Sequence, residues 1–270
     1  MHKSDPLISI VTINRNHASG LDKTITSINA QTWHNWEHLI QDGRSLDASV
    51  AVANSFAERR RILVSEADSG IYDAMNRGLI RVRGDLVWFL NSGDTLVHDR
   101  VLEDVAQSWV RNSWGWAYGD LYVGHEESPS SELYQVPGLS EARVNLGREF
   151  FPHPSCVFST RLAKKVGGYR LDLGLSADQY FCLQAKRLSE PHYIGEPLAL
   201  FEPGGVSGRN TILGHELGFH RFRVRTGSAI LSSRTVDLFF SVARASALTI
   251  RAKAKDVLIS MGQKLSKKVH

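Results

Sequence analysis

The alternation of strand and helix patterns from Leu7 to Asp94 predicts an α/β protein, a mostly parallel sheet flanked by helices, with an amphipathic helical tail. Three observations carry this expectation. Short β-branched and apolar runs take turns with helix-spaced ones. The run VWFL (Val87–Leu90) stops abruptly at Asn-Ser-Gly-Asp, as a strand buried on both faces does where it leaves a parallel sheet. From Arg209 onward the chain carries 12 lysines and arginines against 3 acids, whereas the preceding part carries 20 against 25. The boundary falls in the Gly-rich Gly204–Gly208, so 1–208 reads as the main domain and 209–270 as a basic helical extension.

Each element has its own signal. LISIVTIN (Leu7–Asn14) is a first strand, and Leu21, Ile25 and Ile28 recur at helical spacing within Gly20–Gln31. WEHLIQDG (Trp36–Gly43) is strand into turn, Ala48–Ala57 a helix, and RILVSEADSG (Arg61–Gly70) a strand into a loop. Ile71–Arg77 is a short helix that Gly78 can end in a left-handed conformation. Leu86–Leu90 is the next strand and Asp99–Arg111 the next helix. WGWAYGDLYVG then suggests antiparallel strands, with helices at Thr160–Val166 and Ala177–Leu188 and a last strand in GEPLALF (Gly195–Phe201).

The tail has a sharper geometry. Val236, Phe239, Phe240, Ala243, Ala247, Ile250, Ala254, Val257, Leu258, Met261 and Leu265 form one helical stripe, flanked by Arg244, Arg251 and Lys255 on one side and Lys253 and Lys264 on the other. Such a helix lies in an anionic membrane surface with its basic side chains snorkelling, or turns its stripe onto the main domain. The acidic body and basic tail argue against a nucleic-acid-binding protein. No segment reads as a signal peptide or a membrane span, and two cysteines, Cys156 and Cys182, suit a reducing cytoplasm.

Asp42, Asp68 and Asp94 each follow an apolar strand, which places three carboxylates along one rim of the sheet, where open α/β folds bind ligands. Each is equally an ordinary turn aspartate. SIVTINRN, QDGRSLD, SEADSGIYDAMNRG, GDLVWFLNSGD and SADQYF together resemble, in order and spacing over residues 6–210, the family 2 glycosyltransferases of GT-A fold, particularly those that build bacterial surface polysaccharides.

The resemblance implies an inverting transfer of a sugar from a nucleoside-diphosphate donor to a hydroxyl of a saccharide or lipid-linked saccharide acceptor, assisted by Mg²⁺ or Mn²⁺. Asp94 matches the metal-binding position, with Asn91 and Ser92 where many members carry a further carboxylate. Asp42 matches the residue that accepts the nucleobase N–H. Thr12 and Asn14 match positions lining the nucleotide pocket, and Asp68 and Asn76 positions near the ribose, diphosphate and donor sugar. Asp178 matches the base, although an aspartate there also suits a helix N-terminus, where Ser176 is placed to cap. His153, held between Pro152 and Pro154, falls in a loop that approaches the acceptor or the diphosphate in related enzymes. The tail then places the enzyme peripherally at the inner face of the cell membrane. Two rivals stand beside this reading: a non-catalytic glycosyltransferase-like binding subunit, and a sugar-nucleotide nucleotidyltransferase, for which TINRNHASG lacks a convincing phosphate loop.

Overall fold

A computed structural model describes residues 5–56, 59–124, 131–136, 138–204 and 211–266, the side chains of the last helix being described as far as Arg251. The expected βαβ order is present: β1 (Ile8–Asn14), α1 (Ala18–Asn29), β2 (Trp36–Asp42), α2 (Ser49–Ser55), β3 (Arg61–Ser65), α3 (Ile71–Arg81) and β4 (Leu86–Phe89). Then come β5 (Thr95–Leu96), α4 (Val101–Asn112), β6 (Trp116–Val123), β7 (Glu132–Tyr134), α5 (Glu141–Asn145), β8 (Cys156–Ser159), α6 (Thr160–Val166), α7 (Ala177–Leu188), β9 (His192–Phe201), α8 (Ile212–Thr226) and α9 (Arg234–Ser266).

The strands form one sheet in the order β3-β2-β1-β4-β8-β6-β9-β5, with β7 on the side of β6. β3, β2, β1 and β4 are parallel, and β8 joins them to β6 by antiparallel pairing on both sides. β4 explains why its sequence has no polar alternation. Leu86, Trp88 and Leu90 pack with Ile8 and Ile10 on one face, while Val87 and Phe89 pack with Val11 and Leu39 on the other. A strand covered on both faces has no solvent side to mark with polar residues.

Gly78 does not end α3. The helix runs on to Arg81, and a Cβ at Gly78 would lie 2.4 Å from Val11 Cγ1. The glycine is there because helix and β1 touch at that point, a tertiary requirement that resembles a stop signal in sequence. Tryptophans 114 and 116 are buried, and Trp116 stacks on Phe158 with ring centroids 5.4 Å apart.

α8 and α9 follow one another in sequence but attach to the body by unlike faces. Phe219 and Phe222 of α8 join the core that contains Phe151, Phe158 and Phe181. α9 instead buries Asp237, Ser241 and Ala245. Arg223 of α8, itself fully buried, donates from Nε to Asp237 Oδ1 at 2.7 Å and from Nη2 to Ser241 Oγ at 2.7 Å, while His220 Nδ1 lies 2.7 Å from Asp237 Oδ2. Arg244 donates to the carbonyls of Leu146 and Gly147. Among the described residues the apolar stripe faces away except at Phe240, which is half-buried against Arg223: Phe239 is 72% and Ile250 68% exposed, and Val236 and Val242 are exposed beside them. Lys253, Ala254, Lys255, Val257, Leu258, Met261, Lys264 and Leu265 of the stripe lie outside the residues whose side chains are described, as does the 205–208 part of the proposed boundary. Among the described residues no helix is long and apolar enough to cross a membrane.

Candidate active site

The carboxyl ends of the parallel strands bring the first group of residues together. Asn14 pairs with Asp42, and Asp42 with Ser65, in the register of adjacent strands. Asn14 Nδ2 donates to Asp42 Oδ1 at 2.9 Å, Ser45 Oγ at 2.5 Å to the same oxygen, and Ser45 N and Ser65 Oγ to Oδ2 at 2.9 and 2.6 Å. Burial alone raises the pKa of Asp42, but these donors outweigh it and hold the carboxyl below its ordinary range. Asn14 Oδ1 is buried without a hydrogen-bond partner. Asp68 lies against the same turn: a Cβ on Gly43 would meet Asp68 Oδ2 at 2.6 Å.

Thr12 is fully buried one step below this rim. Its hydroxyl donates to Leu90 O at 2.8 Å and meets His38 Nε2 at 2.9 Å, while Arg61 Nε donates to His38 Nδ1 at 3.1 Å. Burial, then the charge of Arg61, pushes His38 well below its usual pKa, so it stays neutral and donates from Nε2. Thr12 thereby ties β1 to the last residue before the Asn-Ser-Gly-Asp turn. Asn76 is likewise bound to backbone, donating to Tyr169 O at 2.8 Å and accepting from Tyr169 N at 2.7 Å.

Asn91, Ser92 and Asp94 form the turn itself. Ser92 Oγ donates to His17 O at 3.2 Å, and Gly93 adopts a φ of 102°, with its missing Cβ leaving room for the His17 ring at 3.0 Å and Glu202 Oε2 at 3.4 Å. Asp94 is 3% exposed and its Oδ2 has no hydrogen-bond partner. Burial, reinforced by the charge of Glu202, lifts its pKa to about 8. Glu202, from the end of β9, pairs with Lys23 at 3.0 Å. Nothing in the sequence singles out Glu202, which lies far along the chain from Asp94; only the return of β9 beside β5 brings them close. A buried, unpartnered carboxylate oxygen near a second carboxylate suits a hard divalent cation. A cluster of His98, Asp104 and Glu196 also has metal-ligand spacing, but it contains none of the predicted site residues.

Asp178 and His153 belong to a second group. Asp178 opens α7, where Gln179 N and Nε2 donate to its two oxygens at 2.7 and 3.3 Å. Ser176 makes no side-chain cap bond, so the local anchoring of Asp178 comes from Gln179, not from the expected cap. His153 sits in a single 3-10 turn, His153–Ser155, is 5% exposed and shares a hydrogen bond of 2.9 Å between Nε2 and Tyr169 Oη. Burial lowers its pKa against the opposing charge of Asp178. Tyr72, stacked on Tyr169 at 5.6 Å, donates to Leu175 O at 3.3 Å, and burial followed by the Asp178 charge raises its pKa well above normal. Asp178 also borders a cavity of about 720 Å³ between the Leu171–Ser176 segment and α8. His215 lines that cavity from α8, whereas Glu216 is buried facing Arg244.

Residues 9–165 match the Glycosyl transferase family 2 profile. The chain belongs to glycosyl transferase family 2. An uncharacterized glycosyltransferase of Mycobacterium tuberculosis is 35% identical over 212 residues, covering 75% of this chain and 78% of its own. A PGL/p-HBAD biosynthesis glycosyltransferase of Mycobacterium bovis is 36% identical over 220 residues, covering 78% and 82%. The transferase also has the expected GT-A fold. It superposes on S. aureus TarS bound to UDP-GlcNAc with a TM-score of 0.62 over 85% of this chain and 69% of that one, at 14% identity. The mannosyltransferase PcManGT of Pyrobaculum calidifontis, in complex with GDP-Man and Mn²⁺, gives 0.63 over 94% and 81%, at 15% identity.

Proposed function

We propose that this chain is an inverting glycosyltransferase that moves a sugar from a nucleoside-diphosphate donor to a hydroxyl of a lipid-linked saccharide in bacterial surface-polysaccharide or glycolipid assembly. The observation that carries the proposal is Asp178: a carboxylate held at a helix N-terminus and bordering a large cavity, near enough to Tyr72, His153 and Tyr169 for its charge to act on all three. As the acceptor oxygen bonds to the anomeric carbon, Asp178 takes its proton and the nucleoside diphosphate leaves with the electron pair of the broken bond. The start of α7 and the two hydrogen bonds from Gln179 fix where the carboxylate points. His153, neutral and fixed by Tyr169, orients the acceptor or diphosphate as an uncharged hydrogen-bonding group.

Asn14, Asp42 and Asp68 form the nucleotide end of the site. Because the acceptor positions of Asp42 are filled by Asn14, Ser45 and Ser65, a base N–H reaches it by displacing one serine hydroxyl, a rotation about χ1. Thr12 and Asn76 act behind this surface, through Leu90 and Tyr169. Asp94 would hold Mg²⁺ or Mn²⁺, with Glu202 beside it and Asn91 and Ser92 shaping the turn; bound there, the cation supplies positive charge to a leaving diphosphate. The exposed stripe of α9 and its basic flanks support docking at an anionic membrane surface, from the inner, cytoplasmic face.

Asp178→Asn tests the assignment. Transfer should fall by about 10²–10⁴-fold, the contribution of a general base, while the dissociation constants for UDP-, GDP-, CDP- and dTDP-sugars stay within about twofold of the parent, a shift under 0.5 kcal/mol. Donor binding lost in parallel with turnover would remove Asp178 from the base role. Donor binding with no transfer by the parent chain to any lipid-linked acceptor would favour the non-catalytic subunit.

A further inference from the structure

One wall of the cavity beside Asp178 is a single face of α8. Gly214, Gly218, Arg221 and Arg225 line it, and their spacing of four, three and four residues sets them in one row. Within the row it is Gly218 that approaches the start of α7, since a Cβ there would lie 3.9 Å from Ser176 Oγ, two residues before Asp178. Arg221 and Arg225 follow at about 4.5 and about 10 Å along the helix axis, at 1.5 Å per residue. From the start of α7 the row therefore runs past the bare backbone of Gly218 to two guanidiniums.

The lining carries two acids, Asp172 and Asp178, and two arginines, Arg221 and Arg225. Asp172, on the opposite wall, is gripped by Arg170 through Nε at 2.9 Å and Nη2 at 2.6 Å, a two-toothed pairing that leaves Arg225 reaching it only at 3.9 Å. Arg221 is exposed and has no hydrogen-bond or ion-pair partner among the described residues. Two like charges one helical turn apart repel unless an anion lies between or beside them. The rest of the lining is suited to a sugar or its apolar neighbour: Leu171, Leu175, Phe150 and the His215 ring, which meets Phe219 at 5.2 Å.

We propose that this cavity binds the acceptor, and that the acceptor carries an anionic group, phosphate or carboxylate, beside the hydroxyl to be glycosylated. The hydroxyl faces Asp178, the sugar lies over Gly218, and the anion meets Arg221 and Arg225. The assignment of the cavity to the acceptor rests on Asp178 as base; the preference for an anion rests on the arginines.

Calorimetric titration of the full chain with glucose 6-phosphate, glucuronate and glucose separates the two possible anions from the neutral sugar. At least one charged sugar should bind about tenfold or more tightly than glucose, the strength of a charge-assisted contact. Arg221→Gln combined with Arg225→Gln should remove the preference and leave glucose binding unchanged. A stronger phosphate response identifies a phosphosugar or phospholipid-linked acceptor, and a stronger carboxylate response an acidic sugar. Equal affinity for all three ligands, or a preference that survives the double substitution, overturns the proposal. Gly218→Leu, which fills the strip with a better helix former, should abolish binding of all three; retained binding places the ligand elsewhere and also overturns it. UDP, GDP, CDP and dTDP are titrated against the same proteins. Unchanged nucleotide affinity in the double variant keeps the arginines out of the donor site, and reduced affinity places them there, against the proposal. If no nucleotide binds the parent, the transferase reading fails by itself and the anion preference is still decided by the sugars.

Discussion

Asp94 is the residue whose physical chemistry is most at odds with its surroundings. Its folded pKa of about 8 lies far above the ordinary 3.8, because burial and then Glu202 disfavour the charge. A carboxyl whose folded value is raised contributes stability while protonated, below about pH 4, and that contribution is lost as pH rises to about 8. With a chelator present, the parent chain should therefore become less stable between these limits by a few kcal/mol, since each pH unit crossed costs up to about 1.36 kcal/mol. Asp94→Asn keeps the shape of the neutral acid and should flatten that slope in melting curves taken across the range. Mn²⁺ with the cognate nucleoside diphosphate should recover stability at pH 8 in the parent and much less in the variant. Equal slopes in both proteins would show that Asp94 is not the group carrying the pH dependence. Asp42 has the opposite sign: its donors lower the folded pKa, so its contribution is present above the unfolded value and lost as pH falls through the folded one.

Among the elements, the parallel strands are the most legible in sequence. β4 reads correctly because burial on both faces demands an unbroken apolar run, and β1 because its β-branched residues recur along its length. The three acids after β2, β3 and β4 are visible for the same reason, since they follow where the runs stop. Less legible are elements whose identity depends on distant chain. β5 has two residues and pairs with β9, and β8 enters the sheet between β4 and β6 although β7 and α5 come before it in the chain. Gly78 misleads because a packing glycine and a helix stop have the same letter. The candidate site residues divide similarly: Asp94 and Asp178 are proposed from motif, but Asn76 clamping Tyr169, or Glu202 coming back to Asp94, needs the tertiary path. α9 offers the clearest test at this scale. Its attachment depends on Asp237, which accepts from Arg223, His220 and Ile230 N. Asp237→Ala leaves the fully buried Arg223 without its counter-charge and should cost about 3–5 kcal/mol. Chemical denaturation would measure the loss, and a cost under about 1 kcal/mol would mean that α9 is held by other contacts. Replacing both Arg223 and Asp237 by methionine and leucine should recover much of it, because no buried charge then remains.

At the scale of the whole molecule, what matters for the tail is the direction in which its stripe points. A helix built only to complete a core turns its apolar side inward; α9 does the reverse, fastening itself through Asp237, Ser241 and Ala245 and leaving Phe239 and Ile250 outward. The helix lies beside the wall of the cavity that Asp178 borders because α8 supports both, through Arg223 on one side and Arg221 and Arg225 on another. Membrane docking would then bring a lipid-linked acceptor to Asp178 without a separate encounter in solution. Full burial of a Phe or Ile contributes about 1.5–3 kcal/mol, so Phe239→Ser with Ile250→Ser should weaken binding to phosphatidylglycerol vesicles by about 10²-fold or more. Neutral phosphatidylcholine vesicles should bind less well, and raising salt from 0.1 M toward 1 M, where screening shortens from about 10 to about 3 Å, should reduce the difference between the two lipids. Because both side chains are exposed, the double variant should keep the parent's melting temperature and its turnover on a soluble acceptor. It should lose turnover on an acceptor embedded in vesicles. Unchanged vesicle binding in the variant, or loss of both activities together, would return the stripe to a role within the protein itself.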